Sequence, residues 1–209
     1  MTLRSEILPD AQRSVLERVG PVATALGFYL AGGTAVALRL GHRVSVDLDW
    51  FADVERLDPF ELAATLQSRL PGLAIAETGA GALHAELDGV RLTFLRYRYP
   101  LLGPLEDAAG FRIASLSDLV CMKLAAATQR GDKKDFFDIV AICEGGIDLS
   151  AALDLFRRKF GLASAGHVLV SLTYFDDSEG DPDPRAENGL TWPEVKRRLV
   201  GWVKELSAP

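Results

Sequence analysis

Cysteine is scarce in this chain of 209 residues: only Cys121 and Cys143 occur, in apolar surroundings that read as helical. Neither has a His or a second Cys nearby at metal-ligand spacing, so a disulfide framework and a cysteine-based zinc site are both excluded. Buried free thiols in a reducing compartment are the reading that remains. Histidine is equally sparse, and none of His42, His84 and His167 belongs to a Ser-His-Asp spacing or a thiolate site. No stretch approaches the roughly 18 uninterrupted apolar residues of a membrane span. The start of the chain, with Arg4, Glu6 and Asp10, lacks the pattern of a signal peptide, and the expectation is a soluble cytoplasmic protein. Excess positive charge is missing too. A net charge of -6 argues against a protein that coats nucleic acid by bulk electrostatics. The basic residues gather instead in Arg91 with Arg96 and Arg98, in Arg157-Arg158-Lys159, and in Lys196-Arg197-Arg198. Any one of these patches is explained by a solvated face. Together they leave an RNA partner open.

What the chain does have is apolar content, 48%, ample for a packed core in one large domain or two small ones. Residues 10–20 carry helical apolar spacing, and Phe28-Tyr29-Leu30-Ala31 reads as a short strand ending at Gly32-Gly33. A helix follows from Thr34 to Leu40 and stops at Gly41. Val44, Val46, Leu48 and Trp50 alternate with Ser45, Asp47, Asp49 and Phe51, the pattern of a second strand with its acids on one face. Asp58-Pro59 opens a helix that runs to Leu70, with Asp as N-cap and Pro at the first position. Asp88-Gly89 then joins residues 83–87 and 90–95 in a two-residue hairpin whose register sets Thr93 opposite His84. Beyond residue 113 the periodicity becomes helical: Leu119 to Ala127 behind a Ser115 cap, then Asp135 to Cys143, Ala151 to Phe160, and Trp192 to Leu206. The expected fold class is α+β, a small mixed sheet with flanking helices (residues 1–113) followed by a mainly helical region (residues 114–209).

Two elements carry chemistry. Asp47 and Asp49 lie one residue apart on a strand, so their side chains share a face with α-carbons roughly 7 Å apart. Such carboxylates repel by about 1 kcal/mol in bulk water at close approach, and by more where water is scarce. A dication reverses the sign, and hard oxygen ligands suit Mg²⁺, which takes one or two carboxylates and completes its shell with water and substrate phosphate. The Gly32-Gly33-Thr34 turn, between a strand and a helix, offers backbone N–H groups and a helix N-terminus to phosphate oxygens.

The turn, the acid pair thirteen residues after Thr34, and Lys123 followed by Asp135 and Asp138 at twelve and fifteen residues resemble the four-motif pattern of the AbiEii/AbiGii nucleotidyltransferase toxin family. The segments from Ser171 to Asp177 and from Thr191 to Lys196 are similar to stretches near that family's C-terminus, so the resemblance spans about residues 28–203. It implies a nucleotidyltransferase fold and transfer of a nucleoside monophosphate from an NTP to an acceptor, RNA or a tRNA 3′ end in related toxins, with an antitoxin as partner. Carried onto this chain, Gly32, Gly33 and Thr34 hold phosphates and Asp47 and Asp49 bind Mg²⁺ (or Mn²⁺). Lys123 neutralises triphosphate charge, and Asp135 orients either Lys123 or the acceptor hydroxyl. Where many nucleotidyltransferases carry a third carboxylate, this chain shows Arg91, Thr93 and Leu95, which argues against a two-metal site.

Each residue also has a structural alternative. Asp47 and Asp49 could pair with Arg39 or Arg43, and Lys123 could snorkel from an otherwise apolar helix. Asp135 and Asp138 could serve only as favourable charges near a helix start. Arg91 could pair across strands with Glu86. The competing function class is a nucleotidyltransferase fold that holds a nucleotide or a partner without turnover.

Overall fold

Apolar residues at helical spacing build the first long element of the computed structural model, which describes residues 3–53 and 57–207. This helix, α1 (Asp10–Ala25), buries Val15, Leu16, Val19 and Ala23 and runs five residues past the expected end. The short strand β1 (Tyr29–Ala31) is buried throughout, and α2 (Gly32–Leu40) begins directly after it and stops at Gly41 in the left-handed region. β2 (Leu48–Ala52) follows, and then α3 (Pro59–Arg69), whose N-cap Asp58 accepts hydrogen bonds from the amides of Phe60 at 2.9 Å and Glu61 at 3.2 Å. β3 (Ala74–Gly79), β4 (Ala82–Leu87) and β5 (Val90–Arg96) form a meander. Asp88 and Gly89 both have positive φ, 50° and 78°, as the expected hairpin turn requires, and His84 faces Thr93 in the register.

Two short strands, β6 (Glu106–Ala108) and β7 (Phe111–Ile113), complete a seven-stranded mixed sheet in the order β3-β4-β5-β2-β1-β7-β6. β1 runs antiparallel to β2, while β2 pairs with β5 and β1 with β7 in parallel. Helices α4 (Leu116–Gln129), α5 (Lys133–Glu144), α6 (Leu149–Phe160), α7 (Gly166–Ser171) and α8 (Trp192–Leu206) come after the sheet. α4 packs on α2, α5, α6 and α7, so it is the central rod of the helical region. One hydrophobic cluster runs through both halves of the chain, from Leu30, Trp50 and Phe94 in the sheet to Leu124, Phe136 and Val195 in the helices.

The second strand departs from the alternation in the sequence. It was expected over residues 44–51, but it starts at Leu48, and Val46 is 54% exposed. The cause is a competing partner. Arg43 forms a β-bridge with Ala186, Val44 N–H donates to the Arg185 carbonyl at 2.9 Å, and Glu187 N–H donates to the His42 carbonyl at 2.8 Å. The C-terminal loop therefore holds residues 42–44 away from the sheet. Asp47 sits just before β2 and Asp49 within it.

Candidate active site

The Gly-Gly turn is shaped by what lies against it. Ala31 pairs with Asp49 across β1 and β2, which brings the Asp49 side chain over the start of α2. Gly32 has φ +65°, and a Cβ there would overlap the Asp49 carboxylate and lie 3.0 Å from the Asp49 Cβ. At Gly33, a Cβ would stand 2.5 Å from Arg43 Nη2 and 3.1 Å from Ser45 Oγ. Both glycines are thus needed for close approach, by a carboxylate in one case and a guanidinium in the other. Thr34, the third residue of the motif, faces the other way. It is fully buried, its hydroxyl donates to the Asp47 carbonyl oxygen, and Gln12 Nε2 donates to its Oγ1 at 3.2 Å. Its side chain braces the main chain under Asp47 rather than lining the cleft.

The two acids differ in surroundings. Asp47 is paired with Arg91, Nη2 to Oδ1 at 2.7 Å, and not with Arg39, which bonds Glu106 and the Ala114 carbonyl. Nor does Arg91 pair with Glu86, its register partner on β4. Burial pushes the Asp49 carboxyl above the ordinary carboxylate value; Lys123 opposes this and the Asp47 charge reinforces it. Thr93 is the register partner of Asp49 on β5, so the position where a third carboxylate could stand holds a hydroxyl. Among the described residues no group of three or more His, Cys, Asp or Glu is placed to hold a metal ion. The donor set is therefore two carboxylates, which fits one Mg²⁺ or Mn²⁺ that keeps several waters and takes phosphate oxygens.

Behind the acids lies a buried ionic network. Lys123 on α4 is only 5% exposed, so it does not snorkel, and its Nζ lies 2.8 Å from Asp135 Oδ1 and 2.6 Å from Asp138 Oδ2. Asp138 also accepts from Arg43 Nε at 2.6 Å and Nη2 at 2.8 Å, and His42 Nε2 lies 2.7 Å from it. Asp135 accepts from Arg130 Nε at 3.1 Å. Burial alone would raise both carboxyls. The Lys123 ammonium with the Arg43 guanidinium holds Asp138 well below the ordinary value, and Lys123 with Arg130 holds Asp135 below it. Burial would lower the Lys123 pKa, yet Asp138 and Asp135 keep it raised.

The glycines, the acid pair and part of this network border a cleft of about 1050 Å³. Gly32, Gly33, Asp47, Asp49 and Lys123 all line it, while Asp135 stands behind Lys123 and Thr34 behind Asp47. Arg91, Arg130 and Lys134 line it as well, with more accessible heads than Lys123. Arg43 and Arg130 were not among the expected site residues. Arg43 meets Asp138 across 95 positions, and Arg130, at the C-cap of α4, stands seven residues after Lys123, a same-face spacing that could have marked it.

The family described as nucleotidyl transferase AbiEii toxin, type IV toxin-antitoxin system, matches residues 86–190, half of the chain. The chain belongs to that family. Membership makes it a nucleotidyltransferase of the toxin-antitoxin class, and favours the enzyme over a fold that holds nucleotide without turnover. The uncharacterized protein aq_aa25 of Aquifex aeolicus (strain VF5) is 35% identical over 202 residues, which cover 95% of this chain and 97% of that protein. Among solved structures, the nucleotidyltransferase toxin MenT4 of Mycobacterium tuberculosis superposes with TM-score 0.62 at 15% identity, covering 96% of this chain and 87% of its own. JHP933 of Helicobacter pylori superposes with TM-score 0.53 at 17% identity, covering 95% and 94%. Both likenesses are of fold, and this AbiEii-family chain shares with them the architecture that frames its cleft. No helix among the described residues is long and apolar enough to cross a membrane.

Proposed function

We propose that this chain transfers a nucleoside monophosphate from an Mg²⁺-bound NTP to a hydroxyl group of an RNA acceptor, and that a cognate antitoxin restrains it. The observation that carries the reading is the Asp49 carboxylate resting on Gly32, with Asp47 and Lys123 on the walls of the same cleft. In the transfer, the acceptor oxygen forms a bond to the α-phosphorus as the α–β bridging bond breaks. Pyrophosphate leaves with the electron pair, and the hydroxyl proton passes to solvent in the cleft. A divalent ion, when bound, supplies Lewis-acid stabilisation of the departing charge.

The chain's own residues do the positioning. Asp47 and Asp49 would hold the ion, with the exposed Arg91 side chain exchanged away from Asp47. Amides at the start of α2 face the phosphates, where Gly32 and Gly33 leave room for them. Arg130 and Lys134, half-exposed at the rim, neutralise the triphosphate, while Lys123 acts from beneath and fixes Asp135 and Asp138. Preorganised cations of this kind are where catalysis of phosphoryl chemistry resides.

Incubation of the purified chain with each α-labelled NTP, Mg²⁺ and total RNA tests the reading. Label is expected in RNA, and Asp49→Asn is expected to abolish its incorporation while the fold persists. Label in a small molecule or a protein instead of RNA would replace the acceptor. Transfer indifferent to Asp49→Asn and Lys123→Ala would remove these residues from the site.

A further inference from the structure

The cleft continues past the acids along a ladder of rings. Phe51 follows Asp49 by two residues on β2, so the two side chains share a face roughly 7 Å apart at the α-carbons. From Phe51 the ring centroids step 5.5 Å to Tyr97, 5.3 Å to Tyr99 and 4.6 Å to Phe160, then 4.6 Å to Phe156 on α6. All five line the same cleft as Asp49 and Lys123. A buried ladder would be ordinary core, but this one surfaces: Tyr99 is 46% exposed, and it does so on a wall of the cavity.

We infer that the ladder, with Tyr99 and Phe160 at its open end, is the platform on which the terminal unpaired bases of the RNA acceptor stack. This rests on the proposed function and names the part of the site that the acceptor uses. Three observations select RNA. First, ring faces are what single-stranded nucleic acid needs, because every base has a π-face and stacking works without sequence preference. Second, the rings meet edge to face, with interplanar angles of 86°, 63° and 74° from Phe51 to Phe160, so the exposed Tyr99 ring is the face left open to a base, and the cavity, at about 1050 Å³, lies at the top of the roughly 300–1,000 Å³ that single small ligands occupy. An incoming nucleotide leaves part of it free, and consecutive nucleotides of a strand fill what remains. Third, cations line the cleft although the chain as a whole is acidic. Arg91, Arg130 and Lys134 line the same cleft, and exposed Arg98, next to Tyr99 in the sequence, has no ion pair with another described residue. Backbone phosphates of a strand lying on the rings would meet them.

Fluorescence anisotropy with a short 5′-labelled single-stranded RNA, in the absence of NTP, tests the platform directly. Tyr99→Ala is expected to weaken binding about tenfold, in the range that loss of one base–aromatic stack produces, and Tyr99→Trp to restore it. The same RNA with an abasic 3′-terminal nucleotide should bind the unaltered protein about as weakly as Tyr99→Ala binds intact RNA, and the two changes together should be no worse than either alone. In the transfer assay, the KM for RNA should rise in Tyr99→Ala while the KM for NTP stays within about twofold. Equal affinity of Tyr99→Ala for RNA, or additive losses from the variant and the abasic end, overturns the inference. So does a rise confined to the KM for NTP, which would give the rings to the incoming nucleotide. Failure of the functional reading looks different: RNA would bind through Tyr99, yet no label would be transferred to it.

Discussion

The two walls of the cleft hold their charges in opposite ways. On the sheet side, Asp47 and Arg91 form a pair whose guanidinium side chain is 71% exposed, at the mouth of the proposed site. On the helical side, Lys123, Asp135, Asp138 and Arg43 are buried and satisfy one another. Exposed pairs contribute about 0–1 kcal/mol and exchange partners readily. Buried pairs are fixed, because removing one member strands the other without water or partner. The contrast separates an exposed pair that can exchange partners from a buried network that stays in place: under the proposed function an ion would meet the exchangeable wall, with the fixed network behind it.

The largest expected effect comes from breaking the fixed wall. Asp138→Ala leaves Lys123 and Arg43 without their shared carboxylate, and should lower stability by about 3–5 kcal/mol in urea unfolding. The same wall sets a pH signature. Asp135 and Asp138 titrate below their ordinary 3.8 in the folded chain, so their contribution is complete above that value and disappears as pH falls through the depressed folded values. Lys123, raised above 10.5, adds stability that is complete below that value and disappears only as pH rises past it. Unfolding midpoints followed from pH 7 downward should therefore fall on the acid side, and Asp138→Asn should flatten that fall.

Gly32→Ala comes next. Left-handed backbone costs a non-glycine residue roughly 1–2 kcal/mol, and the new methyl must displace Asp49. Stability should drop by at least that amount and Mn²⁺ binding, read by paramagnetic resonance, should fall disproportionately. Thr34→Val removes the hydroxyl that holds the Asp47 carbonyl, with an expected loss of about 1 kcal/mol in unfolding. Arg91→Ala sits at the small end, within about 1 kcal/mol of the unaltered stability. Its effect should appear instead as tighter Mn²⁺ binding, since the competitor for Asp47 is gone. Weaker Mn²⁺ binding in that variant would show that Arg91 helps to build the site, and the contrast between exchangeable and fixed walls would fail.

Legibility of the sequence followed the range of the interactions. Asp58-Pro59, Ser115 with Asp118, and Asp88-Gly89 could be read because each cap or turn is decided within four residues. The acid pair and the glycines could be read because a two-residue strand period and a strand-to-helix turn are local geometries. β3 escaped notice because its residues face solvent or lie half-buried, with no alternation of apolar side chains to mark it. The start of the second strand was misplaced because Val44 and Val46 fit the alternation, whereas the pairing of residues 42–44 is settled by a loop more than 140 residues later. Asp138 belonged to the family-like spacing after Lys123 but read as readily as a helix-start charge, and its central place came from Lys123 together with Arg43 and His42 arriving from another helix end.

By itself, the sequence determined the caps, the hairpin, the mixed architecture and the candidate carboxylates, since propensity, turn chemistry and side-chain period act between near neighbours. Tertiary structure alone decided which cation each acid received, that Thr34 turns inward, and that rings from β2, the segment after β5 and α6 meet in one wall. Those outcomes depend on which distant charges and faces pack together, and burial assigns partners by proximity in space.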